Sequence, residues 1–452
     1  MADVSGTETV ATRLTAQDIE REGEGGGGRN VDAVGMPLGP WKIDGFKWFS
    51  SATDSEMSVL LARTAKGGLS AFYIPMRRRL RNKGSMDDGI YRDSTPSTEL
   101  NGIRIQRLKN KLGTKSLPTA EVELKGARGW LIGTEGQGVK EISAILNITR
   151  LHTAVSSAAN WARGLAVCRA YSKVRKVRGG LLQDNPAHLR WMADETVKYW
   201  ASTHFAFLGV ALQGALEQGW DDAVRNTGAS KLIPQDKAQT ADLLRLLLPV
   251  MKAQVSVAAV HGLRNCMECL GGVGYCENNE AGGLMNVAKV YRDQLVNPIW
   301  EGTVSVMAED CVRVILDKRL GHGDVLVNVF APWVRRVIEG VSAELKPDVD
   351  IIEGKLQGLL DMVRGAAKEG LLYNGRNILE SIETIMSGLV LLYDVTTSPE
   401  AVALKIARRY IHSKSPNVTT HISKHSLENA VADDKSIFLG PSSLQPVVPS
   451  KL

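Results

Sequence analysis

The hydrophobic spacing of the chain changes once, near Gly138, and this change limits the folds that the chain can adopt. Before it, between Trp41 and Trp130, short runs with strand chemistry are separated by turn residues. After it, apolar residues from Ile142 to Val167 recur three and four positions apart, which indicates a long helix with one buried face. The sequence therefore predicts an α+β protein, with an antiparallel β-domain followed by an all-α domain.

Turn residues divide the β-region into predicted strands. Asp44-Gly45 separates runs 41–43 and 46–49 and predicts a tight hairpin, because both residues tolerate a positive φ. A second hairpin is predicted around residues 66–68, between strands 57–63 and 69–74, and two more strands are predicted at 103–108 and 120–124. The basic run 77–83 lies between strands and has two interpretations, a phosphate contact or a solvated surface loop.

Four long amphipathic helices predict a helix bundle. The first follows Gly138, the second begins at Asn185-Pro186, the third covers 238–270 with a bend at Pro249, and the fourth runs from the N-cap Thr303 to Gly321. Helical patterns continue at 325–341, 351–367 and 378–393. We therefore expect a flexible segment (1–36), a β-barrel-like domain (37–135), a four-helix bundle (136–322), an additional helical region (323–412) and a flexible tail (413–452).

Composition excludes several classes of protein. Lys plus Arg number 55 against 49 Asp plus Glu, an excess too small to mark a basic stripe for nucleic acid. Five cysteines predict free thiols in a reducing compartment, and no transmembrane helix is expected. Cys266, Cys269 and Cys276 with His261 lack the paired spacing of a zinc finger, so no metal site is predicted. The chain ends in Ser450-Lys451-Leu452, the peroxisomal import tripeptide, which predicts a peroxisomal location and an import receptor as partner.

Glu301 is the acidic residue with the most unusual surroundings. It follows Ile299 and Trp300 and precedes the Gly302-Thr303 helix start. Apolar neighbours raise a carboxyl pKa whereas a helix amino terminus lowers it, and this opposition can produce a general base near neutrality. The alternative is a glutamate that merely favours the first turn of a helix.

Three motifs in the helical half resemble those of the FAD-dependent acyl-CoA dehydrogenases. They are Leu-Gly-Gly-Val-Gly-Tyr at 270–275, Tyr-Arg-Asp at 291–293 and Ile-Trp-Glu-Gly-Thr at 299–303. Two details are most similar to the AidB-like branch, which is named for a bacterial response to DNA alkylation: the tripeptide at 275–277 and the tryptophan, Trp300, directly before Glu301. Upstream stretches at 45–51, 107–113, 129–133 and 135–138 extend the resemblance over residues 1–320.

The resemblance implies a homotetramer, built as a dimer of dimers, that holds FAD and dehydrogenates an acyl-CoA thioester between its α- and β-carbons. By resemblance, Glu301 is the base that removes the α-proton while the hydride passes to the flavin, and Arg150 lies close to it. Thr149 occupies the family's other base position, so Glu301 stands alone. The same resemblance assigns flavin contacts to Phe49, Ser51, Ile299, Trp300, Gly302, Thr303 and Ser305, and contacts with a neighbouring subunit's FAD to Arg175, Gly271 and Gly272.

Some features depart from the family pattern. Arg178 replaces a phenylalanine, residues 281–284 belong to an insertion, and Asp3–Thr7 resembles the end of a flavin-contacting loop, so the family's leading helical domain is expected to be missing. Two alternatives follow: a nucleic-acid-binding protective protein, which the charge balance does not favour, and an inactive flavin-free form that oligomerises through its bundle. For an active enzyme, the electron acceptor is either oxygen or an electron-transfer flavoprotein.

Overall fold

The computed structural model describes residues 6–24, 30–80, 98–277, 286–413 and 424–440. The chain divides into two compact units, residues 1–147 and 148–452. The first unit contains the β-region and the second is almost entirely helical, which confirms the predicted α+β class. The insertion at 281–284 and the carboxyl-terminal tripeptide lie outside the described residues.

The first unit is built on a six-stranded sheet. Its strands pair in the order β2-β1-β3-β4-β8-β7, and a further pairing of β2 with β8 closes five of them into a barrel-like ring. All pairings in this sheet are antiparallel except β1 with β3. The described elements of this unit are β1 (Val10–Arg13), α1 (Ala16–Glu24), β2 (Trp41–Ser51), β3 (Met57–Arg63), β4 (Leu69–Pro75), β5 (Arg77–Arg79), β6 (Thr98–Leu100), β7 (Ile103–Leu108) and β8 (Thr119–Ile132).

The core of this unit fills the inside of the ring. It contains Ile43, Phe72, Ile74 and Val122, each 3% exposed or less. The predicted hairpin around residues 66–68 is confirmed, since β3 and β4 pair antiparallel from Met57↔Pro75 to Arg63↔Leu69.

The predicted hairpin turn at Asp44-Gly45 is wrong. Strand β2 runs through both residues, and a register shift between Ile43 and Gly45 marks a bulge against β8. A Cβ on Gly45 would lie 2.7 Å from the Cα of Thr9, so the glycine allows the chain just before β1 to approach closely.

The flexible segment predicted at 1–36 and the flexible tail predicted at 413–452 also need correction. Strand β1 pairs with β2 from Val10↔Asp44 to Arg13↔Trp41, so part of the first segment belongs to the sheet. Within the tail, a helix at Lys424–Leu439 packs with Phe438 fully buried. The loop interpretation of the basic run is wrong for Arg77–Arg79, which form β5, and Arg78 pairs with Glu99 at 2.8 Å.

The helical unit confirms three of the predicted long helices closely. Helix α2 begins at Gly138, α3 is capped by the Asn185 side chain with Pro186 in its first turn, and α5 spans Lys237–Cys269 with Pro249 inside it. Helix α8 is shorter than predicted, ending at Leu316 rather than near Gly321. The described helices are α2 (Gly138–Val174), α3 (Pro186–Gln218), α4 (Trp220–Ala223), α5 (Lys237–Cys269), α6 (Gly272–Tyr275), α7 (Val287–Gln294), α8 (Val304–Leu316), α9 (Ala331–Glu339), α10 (Lys346–Val363), α11 (Lys368–Tyr373), α12 (Gly375–Thr397), α13 (Ala401–Ser413) and α14 (Lys424–Leu439).

One hydrophobic core joins the bundle to the additional helices. Leu247 of α5, Cys311 of α8, Trp333 of α9 and Leu389 of α12 are buried in the same cluster. Helix α5 is long and apolar enough to cross a bilayer, but 72% of its most apolar stretch is buried inside the protein, as in the core helix of a bundle. Strands β9 (Lys176–Val177) and β10 (Gly180–Leu181) form a small hairpin after α2.

Candidate active site

The turn that precedes α8 holds Glu301 in a left-handed backbone conformation. Its φ is 57°, and Gly302 follows with a φ of 113°. A residue with a Cβ rarely adopts this conformation because of steric repulsion that costs about 1–2 kcal/mol. Such strain persists where the surrounding structure enforces it and is concentrated at functional sites.

The sequence at this turn explains its shape. Thr303 is the N-cap of α8, as predicted, and its side chain accepts a hydrogen bond from the Val306 N–H. Gly302 has a φ of 113°, which a residue with a side chain rarely adopts, and this backbone angle rather than the nearby, movable Met307 Cε is what favours glycine here. Ile299 and Trp300 are 59% and 37% exposed, which leaves an apolar surface beside Glu301.

A buried lysine on α5 reaches this turn. Lys252 is fully buried, and its Nζ donates a hydrogen bond to the Gly302 carbonyl oxygen at 2.5 Å. Burial lowers the pKa of Lys252 to about 8, although the negative charge of Glu301 acts in the opposite direction. The sequence analysis missed this residue. The available signal was a single charge between Leu246 and Val260, within an otherwise uncharged helix segment.

Asp310, one turn and a half along α8, gathers three arginines. Its carboxylate accepts hydrogen bonds from Arg150 at 2.8 Å, from Arg245 at 2.7 and 3.1 Å, and from Arg313 at 3.2 Å. Burial alone would raise the pKa of Asp310, but the hydrogen bonds and charges of the arginines outweigh it and lower the pKa. Asp310 and Arg245 were also missed, because their partners are far apart in the sequence.

The Asp310 cluster fixes the predicted residue Arg150. One guanidinium nitrogen of Arg150 is held by Asp310, while its buried Nε has no hydrogen-bond partner among the described residues. The charges of Arg150 and Glu301 both act on Lys252. Both predicted catalytic residues, Glu301 and Arg150, thus act electrostatically on Lys252, and Arg150 is in addition bonded to Asp310.

The other predicted cofactor residues of the helical unit lie at exposed turns. Arg175 follows α2 and leads into the β9–β10 hairpin, whose turn contains Arg178 at a φ of 51°. Gly271 has a φ of 63° at the end of α5, and a Cβ on Gly271 or Gly272 would meet nothing within 4 Å. Ser305 is exposed and accepts a hydrogen bond from Arg376 of α12 at 3.1 Å.

In the β-unit, Phe49 and Ser51 line a cavity of about 330 Å³. A register shift between Lys47 and Ser50 places a bulge in β2 at this point, and bulges can redirect side chains toward a site. The Ser51 hydroxyl lies 3.1 Å from that of Thr119, and Phe49 is 59% exposed. Neighbouring Phe46 and Trp48 are also exposed, so the end of β2 presents aromatic surface of the kind that binds ligands or partners.

Lys47, which the sequence analysis missed, lines the same cavity. Its Nζ donates to the Leu61 carbonyl oxygen at 2.7 Å and to the Thr7 hydroxyl at 3.3 Å. Burial lowers the pKa of Lys47 to about 8. Its polar bonds are directed to the barrel wall, so its aliphatic stem and the Phe49 ring give the cavity an apolar character.

The cysteines considered as zinc ligands do not form a metal site in the part of the chain that the structure describes, where no group of three His, Cys, Asp or Glu side chains has suitable geometry. Cys266 and Cys269 are buried in α5, whereas Cys276 is exposed. All five cysteines are free thiols, as predicted.

Comparison with known proteins identifies the class to which this fold belongs. Residues 136–316 match the family model described as the acyl-CoA dehydrogenase C-terminal domain. The chain is 31% identical over 432 residues to acyl-CoA dehydrogenase family member 11 of Caenorhabditis elegans, covering 91% of this chain and 63% of the relative. It is also 31% identical over 292 residues to AidB of Escherichia coli (strain K12), covering 65% of this chain and 46% of the relative.

A solved structure agrees with these matches. The crystal structure of Caenorhabditis elegans ACDH-11 in complex with C11-CoA aligns with a TM-score of 0.69 at 28% identity, covering 96% of this chain and 66% of that chain. The chain belongs to the acyl-CoA dehydrogenase family, and AidB is among its homologues. It spans less than two thirds of the length of these relatives.

Proposed function

We propose that this protein is an FAD-dependent oxidoreductase that dehydrogenates an acyl-CoA thioester between its α- and β-carbons, with Glu301 as the base. The observation that carries the proposal is the strained turn before α8, where Glu301 directly precedes Gly302, whose carbonyl oxygen accepts a hydrogen bond from the buried Lys252. A glutamate that only favours a helix start would need no left-handed backbone. Family membership supports the same chemistry.

The residues of this chain supply proton transfer and orientation. The α-carbon of a thioester is a weak acid, so a carboxylate must be held against it while solvent is excluded. Glu301 accepts the α-proton, and Arg150, which is paired with Asp310, supplies a fixed positive charge. The chemistry that FAD would supply, if bound, is a two-electron acceptor for the hydride of the β-carbon.

Both units carry residues that fit a flavin. The exposed ring of Phe49, the Ser51 hydroxyl and the cavity beside them suit a flat, partly polar ring system. In the helical unit, Ile299, Trp300, Gly302 and Thr303 are the residues to which the family resemblance assigns flavin contacts. Arg175, Gly271 and Gly272 would reach the FAD of a neighbouring subunit in a homotetramer.

The first experiment is spectroscopic. The purified 452-residue chain is supplied with FAD, separated from free cofactor and mixed without oxygen with acyl-CoA substrates of increasing chain length. Loss of the visible flavin absorbance on mixing supports the proposal. A protein that retains no flavin would instead support the inactive form, and bound flavin that no acyl-CoA reduces would contradict the proposed reaction.

Glu301→Gln is the matching variant. The amide has nearly the size of the acid but accepts no proton, so we expect flavin to stay bound while reduction by acyl-CoA is lost. Glu309→Gln, on the exposed side of α8, is the control and should behave as wild type. Full activity of Glu301→Gln would show that another group is the base.

The location and the electron acceptor belong to the same proposal. Ser450-Lys451-Leu452 supports import into peroxisomes, where reduced flavin could pass electrons to oxygen. A fluorescent protein that carries residues 441–452 at its carboxyl terminus should enter peroxisomes. The same fusion protein without Leu452 should not. Hydrogen peroxide formed in equal amount to product would identify oxygen as acceptor, whereas strict dependence on an electron-transfer flavoprotein would exclude it.

The DNA-binding alternative has less support. Several arginines of the additional helices are neutralised by carboxylates: Arg335 by Glu353, Arg408 by Asp348 and Arg409 by Asp434. Such pairing leaves fewer charges for phosphate contacts. A gel-shift titration at low salt would decide between the two, since binding that weakens steeply with salt would favour the alternative.

A further inference from the structure

Lys252 occupies a position that is costly for a charged residue. It lies in α5 between apolar neighbours, including Met251 and Val255, and is fully buried. Burying an ammonium group is unfavourable unless it is well paired. A leucine or methionine would fill this position without that cost, so the ammonium must contribute something that an apolar side chain cannot.

The contact that Lys252 makes is specific to the strained turn. Its Nζ donates to the Gly302 carbonyl oxygen, which belongs to the second of two consecutive residues with positive φ. Fixing this carbonyl fixes the Gly302–Thr303 peptide plane and, through it, the φ and ψ angles just after Glu301. The bond spans 50 positions of sequence and ties the turn to the central helix of the bundle.

The charges around Lys252 come from three elements. Glu301 lies in the turn before α8, Arg150 lies on α2, and both interact electrostatically with Lys252. The Asp310 carboxylate of α8 binds both Arg150 and Arg245 of α5 and balances part of their positive charge. In the part of the chain that the structure describes, the ion pairs of Asp310 are with arginines, so the nearby Lys252 keeps its hydrogen bond to the Gly302 carbonyl oxygen.

We propose that Lys252 is a positioning residue for Glu301: its hydrogen bond to the Gly302 carbonyl holds the turn in the left-handed conformation from which the Glu301 carboxylate removes a proton. This inference rests on the proposed function and adds a residue to it. Lys252 acts through the turn and does not itself touch the substrate.

The test compares Lys252→Met and Lys252→Arg in the full chain loaded with FAD. Methionine keeps the length of the apolar stem but loses the donor, whereas arginine retains a charged donor. Lys237→Met, which removes an exposed lysine from the first turn of the same helix, is the control and should match wild type. If Lys252→Met fails to fold, Lys252→Leu replaces it, since leucine is also apolar and lacks the donor.

The first measurement does not depend on activity. Amide hydrogen exchange of the peptide that contains residues 300–303 should become about tenfold faster or more in Lys252→Met, because the turn loses a charge-assisted hydrogen bond. Lys252→Arg should restore part of the protection. Unchanged exchange in Lys252→Met would overturn the inference even if the protein turned over no acyl-CoA.

The second measurement separates positioning from substrate binding. In Lys252→Met we expect kcat to fall about 10- to 100-fold while KM for the acyl-CoA changes less than about threefold, as for loss of an interaction that matters in the transition state. Lys252→Arg should recover part of kcat. If Glu301→Gln is inactive but Lys252→Met keeps its full kcat, the inference fails while the proposed function stands.

Discussion

Replacing Glu301 by glycine should stabilise the protein while removing the proposed base. At a φ of 57°, a residue with a Cβ incurs about 1–2 kcal/mol of steric cost, which glycine avoids. Glycine also has more freedom in the unfolded chain, which offsets about 0.5–1 kcal/mol of that gain. We therefore expect Glu301→Gly to raise the free energy of unfolding by about 0.5–1 kcal/mol.

Glu309→Gly, the same substitution within α8, provides the control. Glu309 is exposed in the middle of the helix, where glycine costs about 1 kcal/mol. Urea unfolding followed by far-ultraviolet circular dichroism would measure both variants, and their midpoints should move in opposite directions. If Glu301→Gly lost as much stability as Glu309→Gly, the turn would not be strained, and the main structural argument for a functional Glu301 would fail.

Three further predictions concern the groups that surround this turn. Asp310→Asn should lower the free energy of unfolding by about 3–5 kcal/mol, because three arginines lose their buried partner. The control Asp350→Asn, at an exposed ion pair, should lower it by less than about 1 kcal/mol. Equally small effects of both variants in urea unfolding would contradict this prediction. Gly302→Ala should cost about 1–3 kcal/mol and reduce acyl-CoA turnover, while Gly214→Ala on α3, where a Cβ meets nothing, should be neutral or slightly stabilising. Folding lowers the pKa of Lys252 from 10.5 to about 8. Between these pH values the unfolded chain binds more protons than the folded protein, so the free energy of unfolding should rise with pH across that window, by at most about 3 kcal/mol. Lys252→Met should lack this component when unfolding is compared at about pH 7.5 and 9.5, and an identical pH dependence in both proteins would refute it.

Local patterns were sufficient to predict the long helices α2, α3 and α5 and the start of α8. The 3.6-residue period predicted α5 at 238–270, and the structure has Lys237–Cys269. Capping chemistry at Asn185 and Thr303 located the starts of α3 and α8. These features depend on residues within one or two turns of each other, so the sequence contains the whole signal.

Features that depend on distant contacts could not be predicted in this way. Asp44-Gly45 has the chemistry of a hairpin turn, but β1 and β8 pair with both sides of β2 and keep it extended. Strand β1 has only four residues and no alternation of apolar and polar side chains, so its pairing with β2 could not be predicted. Phe438 of α14 completes a core cluster formed by residues more than 140 positions earlier, such as Val287 and Leu270.

The candidate site follows the same division. Glu301 and its Gly-Thr helix start were recognisable from a short motif, and Arg150 from resemblance to a family. Lys252 and Asp310 were not, because their roles arise from contacts across 50 and 160 positions of sequence. A single charge inside an apolar helix is the one local sign that such a contact exists.

The most direct measurement is exchange of the α-hydrogens of a bound acyl-CoA analogue with solvent deuterium. An analogue with sulfur in place of the β-carbon can lose an α-proton but cannot donate a hydride, so exchange reports the base alone. We expect wild type and Glu309→Gln to incorporate deuterium at the α-carbon, and Glu301→Gln to do so at least about a hundredfold more slowly. Exchange by Glu301→Gln at the wild-type rate would contradict the assignment of Glu301 as the base.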